Sequence, residues 1–162
     1  MLFRSVARFC HSLRFPAGQP AGDPMEIALW QFAGPIPEPG ERCGEIAFDA
    51  ERRRMSVITR HADGSGQLWC KGAPEAVLPL CTQWMDGDTA RPLDDDTRAN
   101  FNRAHADMAD RGLRVLALAW RPLAAGDTPD ESELALAGLI GLEDPPRPDG
   151  HEIGRESWRE RV

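Results

Sequence analysis

The residues best placed to do chemistry are Lys71-Gly72-Ala73-Pro74-Glu75, set between an apolar strand pattern, Gln67–Lys71, and a helical one, Ala73–Cys81. A lysine at that junction stands at the rim of a sheet. Gly72 has no Cβ to keep a ligand away from the backbone, and a helix beginning at Ala73 adds partial positive charge through its unpaired N–H groups. That combination suits a polyanion or the edge of a nucleotide. The same five residues also make an ordinary strand–helix turn, and their spacing alone leaves both readings open.

Other chemistries lack their residues. The sequence has no G-x-x-x-x-G-K-[ST] loop, no G-x-G-x-x-G, no G-x-S-x-G and no H-E-x-x-H. The cysteines Cys10, Cys43, Cys70 and Cys81 form no C-x-x-C pair and read as reduced, buried thiols. Four dispersed histidines give no ligand spacing, so no metal site is expected. Asp86-Gly87-Asp88-Thr89 has the outline of an Asp-x-Asp phosphatase nucleophile, but its polar surroundings predict a plain turn. No catalytic residue is assigned.

These residues sit in a chain of 162, the size of about one domain, with 41% hydrophobic and 28% charged residues. Nineteen basic against 26 acidic residues give a net charge of −7, which opposes non-specific nucleic-acid binding because phosphates need a basic face. The longest apolar run, Leu134–Leu142, is about half the roughly 20 residues that cross a bilayer, so no direct membrane contact is expected. Met1–Arg14 has no apolar core of the signal-peptide kind.

The elements that must position Lys71 follow from periodicity. Val6–Leu13 has helical spacing, and Asp23-Pro24 starts a second helix with Ile27, Leu29, Trp30 and Phe32 as its buried face. Strands are expected at Glu45–Phe48, Arg54–Arg60 and Gln67–Lys71, the last two joined by an Asp63-Gly64 hairpin. Within Arg54–Arg60, Met55, Val57 and Thr59 share a face. In the Ala73–Cys81 helix, Ala76, Val77 and Leu80 form the apolar stripe. A helix opens at Asp94-Asp95-Asp96-Thr97, buries Phe101, Ala104 and Met108, and stops at Gly112. Leu113–Trp120 and Leu134–Leu142 read as strands. The order predicts an α+β fold with a largely antiparallel sheet flanked by helices.

Several segments taken together are more specific than any one of them. Gly22-Asp23-Pro24-Met25-Glu26-Ile27-Ala28-Leu29, Phe48 to Val57, Lys71 to Glu75, Arg111 to Ala119 and Gly141 to Arg147 occur in one order. In that order the chain resembles the nucleotide-binding (N) domain of P-type cation-transporting ATPases, most closely the calcium-pump-like branch, from about Val6 to Gly150. The resemblance implies that Phe48 stacks on adenine, Glu26 approaches the adenine edge, and Lys71 lines the deep end with Gly72 and Ala73 packed close. It implies that Arg53 and Arg114 face phosphate or ribose and that Met55 and Leu116 are apolar walls. Met25 stands where the family usually has threonine. Read without the resemblance, Arg52-Arg53-Arg54 is a solvated basic run, and Phe48, Met55 and Leu116 are core residues.

The resemblance further implies a hinge at Asp144, Pro145, Pro146 and Arg147, leading to a phosphorylation domain. The implied partners are ATP and ADP, Mg-ATP in an intact parent, and the parent's phosphorylation, actuator and membrane domains. D-K-T-G-T, T-G-D and G-D-G-x-N-D are absent from the sequence, so this chain is expected to bind ATP without hydrolysing it. The alternatives are an interaction module that keeps the fold without the ligand, or a haloacid-dehalogenase-type phosphatase using Asp86 or Asp88. Leu2-Phe3-Arg4-Ser5 and Glu152-Ile153-Gly154-Arg155 can be encoded by nearly complementary adapter-like DNA. Residues 1–5 and 151–162 are therefore expected to be foreign, with 6–142 the nucleotide-binding domain and 143–150 the hinge.

Overall fold

The expected strands, joined by an additional hairpin, form a seven-stranded sheet in the computed structural model, which describes residues 2–143. The strands are β1 (Glu41–Asp49), β2 (Arg54–Arg60), β3 (Gly66–Gly72), β4 (Cys81–Asp86), β5 (Thr89–Pro92), β6 (Arg114–Leu123) and β7 (Leu134–Leu142). Their order across the sheet is β1-β2-β3-β6-β7-β4-β5, antiparallel throughout except for the β4–β7 pair. The helices are α1 (Leu2–Phe9), α2 (Pro24–Ala33), α3 (Pro74–Val77) and α4 (Asp95–Asp110). This is the expected α+β architecture. The hinge residues Asp144–Arg147 and the expected foreign tail lie outside the described residues.

Helices cover the sheet on both faces. On one, Val6, Ala7 and Cys10 and, from α2, Leu29 and Ala33 pack with Met55, Val57, Trp69 and Leu118. Leu29 is 1% exposed, and burying such a side chain contributes roughly 1.5–3 kcal/mol. On the other face, Val77, Leu78 and Cys81 pack with Ile58, Leu68, Cys70, Ala117 and Ala119, and Phe101 of α4 leans on them. Because both sides are covered, Met55–Thr59 is buried along its whole length. Met55 and Val57 face α1 and α2 as their spacing predicts, and Ile58 faces the opposite layer.

The caps form as the sequence predicts. The Asp23 carboxylate accepts from the Met25 and Glu26 amides at 2.8 and 3.2 Å with Pro24 in the first turn. Asp94 accepts from the Thr97 amide at 2.8 Å. Other expectations are corrected. The first helix runs Leu2–Phe9, not Val6–Leu13, and Arg4 donates to the Ala33 carbonyl. In α2 the buried residues are Leu29 and Ala33, whereas Phe32 is 55% exposed. In α4, Phe101 and Met108 are half-buried but Ala104 is exposed. The expected helix over Ala73–Cys81 shrinks to α3 and a 3-10 turn, Leu78–Leu80. The β4–β5 hairpin was not anticipated; Asp86-Gly87-Asp88-Thr89 is its turn, with Gly87 at φ 63°. Among the cysteines, Cys10, Cys70 and Cys81 are buried as expected, and Cys43 is exposed. No helix among the described residues is long and apolar enough to cross a membrane.

Candidate functional site

Where β2, β3 and β6 end beside α2, side chains on the α1–α2 face enclose a cavity of about 530 Å³. Strand register explains the composition of its floor. Met55 lies opposite Lys71, and Lys71 lies opposite Leu118. Directly opposed residues share a face, so two and four residues back along β6 Leu116 and Arg114 share that face too. All nine residues singled out in the sequence line this one cavity: Glu26, Phe48, Arg53, Met55, Lys71, Gly72, Ala73, Arg114 and Leu116. Sequence reasoning missed Ser12, Leu29 and Val115, which also line it.

Lys71 sits deep, its side chain 8% exposed, and donates to Glu26 Oε1 at 2.8 Å. The other carboxylate oxygen, Oε2, accepts from both the amide and the hydroxyl of Ser12 at 3.1 Å. Glu26 is thus fixed from two sides. Burial pushes its carboxyl up, but the Lys71 charge and the hydrogen bonds from Lys71 and Ser12 outweigh that and hold it below the ordinary range. Met25 presents a thioether to the cavity, and the hydroxyl beside Glu26 comes from Ser12 instead. The Ser12 position carries no signal in the sequence, since it lies in irregular chain after α1.

Phe48 is 63% exposed at the mouth. Ile46, two residues earlier, packs into the opposite core, and strict alternation would send Phe48 there as well. The pairing of β1 with β2 shifts between Ile46 and Asp49, and this bulge re-aims Phe48 into the cavity. Arg53 and Arg114 are exposed at the same mouth. Arg53 pairs with Glu75 at 2.7 Å, while Arg114 has no ion-pair partner among the described residues.

One expectation about the Lys71–Glu75 segment is corrected. The helix that was to add positive charge is only the four residues of α3, too short for an N-terminal field to accumulate. Gly72 lines the cavity as expected, and packing supplies a further reason for a glycine there. A Cβ there would overlap the Arg53 carbonyl oxygen and the Arg54 Cβ, and would lie 2.7 Å from the Arg54 Cα, at the start of neighbouring β2 and in the turn before it. Gly72→Ala is accordingly expected to destabilise the domain by about 1–3 kcal/mol, read from urea unfolding, because the clash is with backbone that has no rotamer to give.

Acid is expected to weaken the fold from this side of the molecule first. Burial, with the Arg42 and Lys71 charges, pulls the His11 imidazole down to about 4. As pH falls below about 6.5 the unfolded chain takes up that proton before the folded one, so stability drops progressively towards pH 4. The Glu26 contribution, depressed in the fold, is present above its unfolded value and is lost later, as pH falls through the folded value. Thermal melts between about pH 7 and 4 read this, and His11→Gln should flatten the upper part of the curve.

A second cavity, about 480 Å³, is lined by Arg8, His11, Phe15, Trp30 and Arg42 among others. None of the nine predicted residues lines it. Asp86 pairs with Arg91 at 2.7 Å in the exposed β4–β5 hairpin, at the opposite edge of the sheet from β1. That placement gives no support to a phosphatase built on Asp86 or Asp88.

Residues 3–149 match the family model described as P-type ATPase, cytoplasmic domain N. The chain is 41% identical over 111 residues to magnesium-transporting ATPase, P-type 1, of Salmonella typhimurium strain LT2, which covers 66% of this chain and 12% of that protein. It is 33% identical over 156 residues to calcium-transporting ATPase 1 of Yarrowia lipolytica, covering 89% of this chain and 17% of that protein. A calcium-transporting ATPase of Bacillus subtilis is 31% identical over 146 residues, 83% of this chain and 16% of that protein. The chain therefore spans between 12% and 17% of the length of these curated relatives.

Proposed function

The chain belongs to the P-type ATPase cytoplasmic domain N family, and from that premise we propose that its cavity binds ATP and ADP. One observation carries the reading. Residues from four separate sequence segments converge on a single cavity with an ion-paired lysine at its floor and an exposed aromatic ring at its mouth.

The residues divide the work by chemistry. The flat face of Phe48 stacks on a purine. Glu26, kept ionised, offers acceptor oxygens to an exocyclic amine, and Lys71 offers donors to ring nitrogens. Met55, Leu116 and Leu29 exclude water from the base. Arg53 and Arg114, exposed at the mouth, meet ribose or phosphate, Arg53 exchanging its pairing with Glu75 for the ligand. In a longer cation-transporting parent, this domain presents Mg-ATP to phosphorylation machinery beyond it. By itself the chain lacks D-K-T-G-T and binds nucleotide without hydrolysing it. Relatives named for magnesium and for calcium transport both match, and neither cation is assigned to this chain.

Equilibrium titration of the chain with ATP, ADP and adenosine tests this. The expected result is weak, reversible binding of all three in the millimolar range, with no phosphate released from ATP. Absence of binding to any of them overturns the reading.

A further inference from the structure

Arg52, Arg53 and Arg54 are consecutive, yet only Arg53 lines the cavity. Its two neighbours converge on one carboxylate, that of Glu131. Arg52 Nη2 donates to Glu131 Oε1 and Oε2 at 2.6 and 2.8 Å, Arg54 Nε donates to Oε2 at 2.7 Å, and Ser56 Oγ donates to Oε1 at 2.8 Å. The Glu131 side chain is 9% exposed. It comes from the connection between β6 and β7, more than 70 residues along the chain from all three partners. Ser56 alternates with Met55 on β2, so this cluster lies behind the sheet, on the face opposite the cavity.

The turn between β1 and β2 is one that needs holding. Arg53 adopts φ 49°, a left-handed conformation unfavourable for a long L side chain. Its amide donates to the Asp49 carbonyl at 2.6 Å, and its own carbonyl accepts from the Ala73 amide at 3.0 Å. The Asp49 carboxylate accepts from the Glu51 and Arg52 amides, both at 2.9 Å. Phe48 enters this turn and Arg53 leaves it. The residues on either side of Arg53 are tied to the same carboxylate.

We propose that Glu131 is a positioning residue for the nucleotide cavity: by holding Arg52 and Arg54 behind the sheet, it fixes the turn that presents Phe48 and Arg53 at the mouth. The proposal rests on the nucleotide reading above. It makes a prediction of opposite sign to simple electrostatics. Glu131→Gln removes a negative charge from the domain, which by charge alone would tighten ATP and leave uncharged adenosine unaffected. Through the turn, the same substitution weakens both ligands, because both rely on Phe48.

The test is titration of the full chain and its Glu131→Gln variant with ATP and with adenosine, alongside amide hydrogen exchange. The expected result is a rise of about fivefold in Kd for both ligands, a change of the size expected from loosening one hydrogen-bonded contact, with faster exchange at the Arg53 and Ala73 amides. Ser56→Ala, which removes one hydrogen bond and no charge, should move all readings the same way by about half that amount on a logarithmic scale; it decides the matter if Glu131→Gln does not fold. Unchanged affinities, or tighter ATP with unchanged adenosine, overturn the proposal while the nucleotide reading stands. Failure of the unsubstituted chain to bind either ligand overturns both.

Discussion

Lys71→Met is expected to destabilise the domain by about 3 kcal/mol and to abolish measurable nucleotide binding. Lys71 and Glu26 side chains are 8% and 12% exposed, so their ion pair lies in an environment where water does little to screen the loss of a partner. Methionine fills the space of the lysine stem but leaves the Glu26 charge facing only Ser12. Removing one member of a buried pair is costly because the other remains desolvated, and not because the pair itself was worth so much. The sign of the pH dependence follows. In the variant, burial dominates and raises the Glu26 carboxyl, so the deficit relative to the unsubstituted chain should shrink as pH falls through that raised value. Urea unfolding at about pH 7 and pH 5 reads both quantities. Adding Glu26→Gln to Lys71→Met should recover most of the stability, since a neutral amide satisfied by Ser12 needs no cation. It should not recover binding. Equal deficits at both pH values, or no recovery in the double variant, would contradict the ion-pair account.

Phe48→Ala is expected to weaken ATP and adenosine alike by about tenfold to a hundredfold, the 1–3 kcal/mol that base–aromatic stacking supplies. Its effect on stability should stay within about 0.5 kcal/mol, because the ring is 63% exposed and supports little of the core. The two readouts separate the roles that the sequence left open. A core phenylalanine cut to alanine would cost about 3–5 kcal/mol of folding free energy. An idle surface ring would change neither. Phe48→Trp should retain binding, since a larger π face stacks at least as well.

What the sequence revealed of the site depended on how local each cause was. The β2–β3 hairpin is written in the alternation of Met55, Val57 and Thr59 and in the Asp63-Gly64 turn, so Lys71 at a strand end was legible. The Asp23 cap placed Glu26 in the first turn of α2, also legible. That Glu26 and Lys71, 45 residues apart, form an ion pair was not, because neither pattern refers to the other. Phe48 was found through the resemblance alone. The bulge that aims it into the cavity is a register shift between two strands, invisible in either strand by itself. Gly72 was legible as a cavity residue, whereas the close packing against Arg53 and Arg54 that also requires a glycine there was not, because it depends on how β2 and β3 pair. The β4–β5 hairpin escaped notice because its strands are short and mostly exposed, with no apolar alternation to mark them. Three consecutive arginines read as a solvated run because the carboxylate that divides them comes from the far side of β6.

The central claim is that a purine nucleotide enters the cavity between Phe48 and Lys71. Nuclear magnetic resonance of the isotopically labelled chain during ATP titration tests it most directly. The account predicts saturable shifts at Phe48, Lys71, Glu26 and Arg114, with Trp30 and Arg42 in the second cavity unmoved. Unperturbed spectra at millimolar nucleotide, or shifts centred on Trp30 and Arg42 instead, would contradict it.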